Sequence, residues 1–205
     1  MNGCSLNCHS KVGAGVIIHK KNQQKRSPMF SKLVAPHGGR GLVCALLDGK
    51  EREAELEVAK GLKQIEISAR AKGDLIMMGI GGFSPLDGFM TKADWKGVCE
   101  NFQMADGTFW PVPITLDVSK ADAAAIKEGD HVALVKDGEV YATMKVAEKY
   151  EMTAADKKWE CEKVFIGEGE ESVGANFWEI APKDHPGVIM VLAQKEFNLA
   201  GPVKV

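Results

Sequence analysis

Hydrophobic and polar positions follow two rhythms along the chain, and the clearest lies in its middle. In HVALVKDGEVYATMKV, positions 131–146, two alternating β-rich runs flank Asp137-Gly138. A two-residue Asp-Gly linker in that setting predicts a tight hairpin. QIEIS, 64–68, alternates over a shorter span and predicts a strand. A helical rhythm appears in DGKEREAELEVAKGL, 48–62, with Leu56, Val58 and Ala59 apolar and Gly61 as the stop. Trp95, Val98, Cys99 and Phe102 recur at i, i+3, i+4, i+7 after Thr91 and Asp94, a capping-box pair. Ser119 with Asp122, and Thr153 with Asp156, repeat that signal before AAAIKEG and ADKKWECEKV. TFWPVPITLDV, 108–118, is proline-marked and predicts an edge or bent strand. GVIMVLA, 187–193, predicts a buried strand, and FNLAGPVKV, 197–205, an extended segment. Helices are short, strands are many, and no βαβ alternation of ordinary length appears. The expected class is therefore α+β, a small mixed β-barrel decorated with short helices.

Composition changes this picture little. The chain has 205 residues, 45% hydrophobic and 26% charged, an ordinary globular balance. The formal net charge of -2 gives no whole-chain attraction to nucleic acid or to anionic lipid. Cysteines stand at 4, 8, 44, 99 and 161, an irregular odd set that favours a reducing compartment over a disulfide framework. No apolar run approaches the length that spans a membrane, and a cytoplasmic location is expected. Residues 1–28 are polar, basic towards their end and without period, and are expected to be a tail or a mis-assigned start before a domain over 29–205. Cys4, Cys8, His9 and His19 have metal-ligand chemistry but lack a second well-spaced pair, so no metal site is assigned there.

The stretch MMGIGGFSPLDGFM, 77–90, tests for phosphate binding. A Walker A loop needs a lysine after its last glycine, and none follows; a dinucleotide fingerprint needs glycine where Ser84 stands. Ser84-Pro85-Leu86-Asp87 instead suits a type I turn with proline second and Gly88 at positive φ. Gly81-Gly82 would let backbone pass closely under other groups, with Phe83, Leu86, Phe89 and Met90 pinning the bend to a core or a neighbouring domain.

These residues carry a resemblance. GGFSPLDGFM resembles the G-x-FSPL-x-GFM signature of ATP sulfurylases (sulfate adenylyltransferases). DGTFWPVPITLDV, GDHVALVKDGEVYATMKV and DHPGVIMVLAQKEFNLAGPVKV resemble further family segments in the same order. The match runs from about Lys32 to Val205, and SKLVAPHGGRGLV is similar to the enzymes of sulfate-reducing bacteria. The resemblance implies the N-terminal PUA-like β-barrel domain. Such enzymes condense ATP and sulfate, with Mg²⁺, into adenosine 5′-phosphosulfate and pyrophosphate.

In that family catalysis rests on a Q-x-R-N-P-x-H-x-x-H segment and a G-R-D-H segment of a following nucleotidyltransferase domain, whose cations stabilise phosphoryl charge. Neither segment is present. No catalytic, cofactor-binding or metal residue is therefore assigned. The chain is expected to stop before the catalytic domain, to be inactive alone, and to have that domain as its partner within a homo-oligomer. The alternative is a free-standing PUA-like RNA-binding module.

His37 and Arg40 in PHGGRG read as an anion nest or, more simply, a lead-in loop. His131 reads as a surface histidine. His185 beside Asp184 reads as a structural turn before a strand. Lys145, Lys149, Lys157, Lys158 and Lys163 interleave with glutamates as a mixed-charge surface. Trp95, Phe109, Trp110, Trp159, Phe177 and Trp178 read as core and interface anchors. The exposed apolar corner is expected to include part of the GGFSPLDGFM surface and FNLAGPVKV.

Overall fold

The last strand organises the molecule. In the computed structural model, which describes residues 35–165 and 185–205, β7 (Phe197–Lys204) pairs with four other strands. Its first half lies between β3 (Leu116–Val118) and β6 (Glu148–Glu151), and its second half between β2 (Gly88–Phe89) and β5 (Glu139–Lys145). The change of partners falls at Gly201, where φ is 146° and a side chain would run into the Lys145 carbonyl. A glycine at such a corner lets the sheet curl. Beyond β5 the sheet continues antiparallel to β4 (His131–Lys136) and then parallel to β1 (Lys63–Glu66). The result is a seven-stranded mixed sheet, curled, with helices around it: the α+β class expected.

The hairpin forms as its sequence dictates. Lys136 pairs with Glu139, and Asp137 and Gly138 take φ of 54° and 83°, the left-handed pair of a two-residue turn. Val132 and Leu134 of β4 and Met144 of β5 enter one core with Leu116, Leu199, Ile65 and Val98.

Five of the six α-helices among the described residues are capped at the start by a side chain. α3 (Lys92–Asn101), α4 (Lys120–Ala124) and α5 (Ala154–Val164) begin at Thr91, Ser119 and Thr153, each accepting from the amide three residues on. At α5 Asp156 also accepts from the Thr153 amide, closing a full capping box. Thr153→Ala should lower stability by about 1 kcal/mol, read as a shift in urea midpoint at unchanged slope. α1 (Gly49–Ala59) buries Ala59 but leaves Val58 exposed, so its predicted apolar face is narrower than the sequence suggests.

Four expectations are corrected. A helix not predicted, α2 (Ala69–Gly79), precedes the glycine run. Ser68 caps it, and Ala71, Leu75 and Met78 form its buried stripe. The segment 187–193 is not a strand but most of α6 (Pro186–Leu192), with Pro186 at its first position and His185 as its cap. A proline cannot donate to a ladder but costs a helix nothing at its first turn. Phe102 leaves the α3 stripe: it is the left-handed C-cap, φ 54°, and is exposed. Of TFWPVPITLDV only Leu116–Val118 is a strand; Pro111 and Pro113 interrupt the rest. The reading of residues 1–28 and of Cys4, Cys8, His9 and His19 lies outside the described residues.

Candidate functional site

The bend at 79–90 is seated in its own domain. Ser84, Pro85, Leu86, Phe89 and Met90 are all buried. Ser84 Oγ donates to the Gly81 carbonyl at 2.8 Å and accepts from the Val43 amide at 2.9 Å, so one hydroxyl joins the bend to the chain entering the domain. The turn closes one residue earlier than predicted, from the Leu86 amide to the Phe83 carbonyl at 2.8 Å, with a cis Ser84–Pro85 peptide at its centre. Gly88 has no positive φ; its role is proximity. Paired with Pro202, it lies against the Gly201 carbonyl so closely that no side chain fits. The expected exposed corner is corrected accordingly: the signature's apolar side chains face inward, as do most of those of 197–205.

The apolar surface lies beside the bend. Leu42 and Leu46, in the chain leading into α1, are 62% and 58% exposed; Ile76 and Ile80, one turn apart at the end of α2, are 48% and 59% exposed. The two segments are laced by backbone bonds from Ala45 N to Met78 O, 3.1 Å, and from Leu46 N to Gly79 O, 3.2 Å. Gly81, at φ 76°, lies under Leu42 and the exposed Cys44. Sequence reading missed this face because α2 was missed. The signal was there, in Ile76 and Ile80 four residues apart on the side opposite Ala71, Leu75 and Met78.

Most of the other residues singled out are engaged within the chain. His37 Nε2 lies 2.6 Å from the Phe109 carbonyl, and Arg40 pairs with Asp106 at 2.5 Å. The PHGGRG loop is thus docked on the 103–110 loop, and its cation is already matched, which removes the anion-nest reading. His131 is exposed at the start of β4. His185 Nδ1 accepts from the Gly187 amide at 3.1 Å, and its ring packs on Phe165 at 4.8 Å: a helix cap rather than a turn before a strand. Lys149 donates to the Ala123 and Ile126 carbonyls, 2.6 and 2.7 Å, and Lys157 to the Gln194 carbonyl. Trp95 and Trp110 are buried, Trp159 stacks on Trp95 with centroids 5.3 Å apart, and Phe109 is exposed. Phe177 and Trp178 lie outside the described residues.

Two charged features remain. Glu160, buried on α5, accepts from the Trp95 indole Nε1 at 2.7 Å. Burial holds its carboxyl above the ordinary range, against the opposing pull of that N–H and of Arg70. A 290 Å³ cleft lies between α2, α5 and α6, lined by Arg70, Asp74, Glu160, Phe165 and Val191 among others. Arg70 donates to the Thr115 carbonyl at 3.1 Å, and burial pushes the Asp74 carboxyl up. Neither feature pairs a nucleophile with a base. Among the described residues, no three of the histidines, cysteines and carboxylates gather as metal ligands, and no helix is long and apolar enough to cross a membrane.

Comparison with known proteins gives this architecture its place. The profile of the PUA-like domain family matches residues 34–205. The chain belongs to the PUA-like domain family. This PUA-like chain is 73% identical over 176 residues to the sulfate adenylyltransferase of Desulfovibrio desulfuricans, covering 86% of itself and 41% of that protein. To the sulfate adenylyltransferase of Desulfatibacillum aliphaticivorans it is 67% identical over 178 residues, covering 86% of itself and 42% of the relative. It therefore spans about two-fifths of the length of the curated relatives it matches. A solved structure described as a hexameric APS kinase from Thiobacillus denitrificans superposes with a TM-score of 0.58 at 25% identity, over 84% of this chain and 27% of that one.

Proposed function

We propose that this chain is the N-terminal PUA-like domain of a sulfate adenylyltransferase. The enzyme it serves converts ATP and sulfate to adenosine 5′-phosphosulfate and pyrophosphate, in the cytoplasm and as a homo-oligomer. The single observation carrying this is 73% identity, held across 176 residues, to a protein named for that reaction. Identity at that level preserves side chains as well as the fold, which the fold alone would not require. The domain, from about residue 29, is a scaffold and interface, and the groups that stabilise the transferring phosphoryl charge belong to the remainder of the enzyme. What this chain's own residues offer fits that division. Its described histidines cap, dock or face water, and burial pushes the carboxyls of Asp74 and Glu160 up. The described residues do not suit Mg²⁺, which wants converging carboxylates and water. The RNA-binding alternative needs free basic side chains on one face, whereas Lys149 and Lys157 satisfy backbone carbonyls at helix ends.

The test joins this chain at Val205 to the remaining part of the Desulfovibrio desulfuricans enzyme. Pyrophosphate release from ATP and sulfate should appear in the joined protein and stay at background for the 205-residue chain alone. A folded joined protein without turnover would refute the assignment, and turnover by the isolated chain would refute the division of labour.

A further inference from the structure

We infer that the face formed by Leu42, Leu46, Ile76 and Ile80 is the docking surface for the remainder of the enzyme, an inference that rests on the function just proposed. Four large aliphatic side chains about half or more exposed stand on two segments laced together by backbone bonds, which gathers apolar surface at the end of α2. Patches of this kind on soluble domains mark interaction sites. The patch also has depth. Beside Leu46 opens a 280 Å³ cleft whose apolar lining includes Leu47, Leu56, Tyr141 and Val205, able to receive a side chain from a partner.

The occupant follows from where position 205 lies. Val205 donates to the Ala45 carbonyl and accepts from the Leu47 amide, both at 2.8 Å, so it is fixed beside Leu46. Its side chain touches the position of Gly79, at the end of α2. In an enzyme of the relatives' length, the polypeptide after position 205 therefore leaves from the edge of the patch. A partner tethered there is held at millimolar effective concentration, about what a modest apolar contact needs to stay closed. A second copy of the chain has no such advantage. Another exposed apolar group, Ile189, Met190 and Leu192 on α6, lacks this link to position 205.

Cys44 reports on the face without mutation. It is exposed and packed against Gly81, while Cys99 and Cys161 are buried. Iodoacetamide labelling, read by peptide mass spectrometry, is compared between the 205-residue chain and the joined protein described above. Labelling of Cys44 should be about tenfold slower or more in the joined protein, since thiol modification follows access. A Leu42→Asp, Ile80→Asp variant should restore fast labelling in the joined protein and leave the isolated chain's circular dichroism unchanged, since both side chains already face water. Equal Cys44 rates in a joined protein that releases pyrophosphate would overturn the docking surface and leave the function standing. Slow labelling in a joined protein without turnover would support the surface and refute the function. Slowing in the isolated chain that grows with its concentration would assign the face to a second copy and overturn the inference.

Discussion

Gly88→Ala is expected to cost about 4 kcal/mol or more, enough to leave much of a marginally stable chain unfolded. The cause is backbone against backbone. Gly88 opposes Pro202 in the β2–β7 pair, and a Cβ there would fall well inside contact distance of the Gly201 carbonyl oxygen. A clash with the tip of a flexible side chain can relax by a rotamer change; this one requires β7 to move. β7 is also held by β3, β5 and β6, so displacing it disturbs every layer it joins. Gly73→Ala in α2 is the matching control. Nothing lies within 4 Å of a Cβ built there, and its backbone is helical. Alanine at that position should stabilise by about 0.5 to 1 kcal/mol through helix propensity and a less free unfolded chain. Urea unfolding of both variants checks the contrast; equal effects would mean that the close approach of the two strands is not what holds the bend.

Gly88 also shows how far the sequence could be read. The glycine-rich bend was legible as a non-phosphate structure, because the residues that phosphate chemistry needs are missing. Its orientation was not legible. Whether Leu86 and Phe89 face their own core or another protein depends on β7, more than 110 positions away, and local pattern carries no such information. Local chemistry was reliable where one residue type has one use: Asp137-Gly138 made its turn, and Thr91, Ser119 and Thr153 made their caps. It failed where one pattern serves two structures. A short apolar run such as 187–193 fits a buried strand or a helix against a core, and the deciding mark was Pro186 at a first turn. α2 was hidden because its cap, Ser68, has no acidic partner three residues on, and because Gly73 and Gly79 look like breakers. Losing α2 meant losing the apolar face beside it, the part of the surface that bears most on function.

The buried Trp95–Glu160 pair should produce the second large effect, and one that depends on pH. Trp95→Ala removes a ring packed on Trp159, leaves a cavity, and strips Glu160 of its hydrogen-bond donor, for about 3 to 5 kcal/mol. Trp95→Phe keeps most of the packing and loses chiefly the donor, for about 1 to 3 kcal/mol. The pH dependence separates the two contributions. Burial holds Glu160 above its ordinary value of 4.5 in the folded chain, so the folded state binds that proton more tightly than the unfolded state does. Its contribution is then most favourable below 4.5 and is lost as pH rises through the folded value. The indole N–H works against that loss by stabilising the carboxylate. Removing it should raise the folded value further and widen the window of loss, so Trp95→Phe should cost more at neutral pH than near the ordinary glutamate value. The cavity left by Trp95→Ala adds a part that pH does not change. Glu160→Gln, which cannot ionise, should abolish the pH-dependent part in either background. Urea midpoints at several pH values measure all of this. A Trp95→Phe cost that stayed flat with pH would mean that the carboxyl remains protonated at neutral pH with or without its donor.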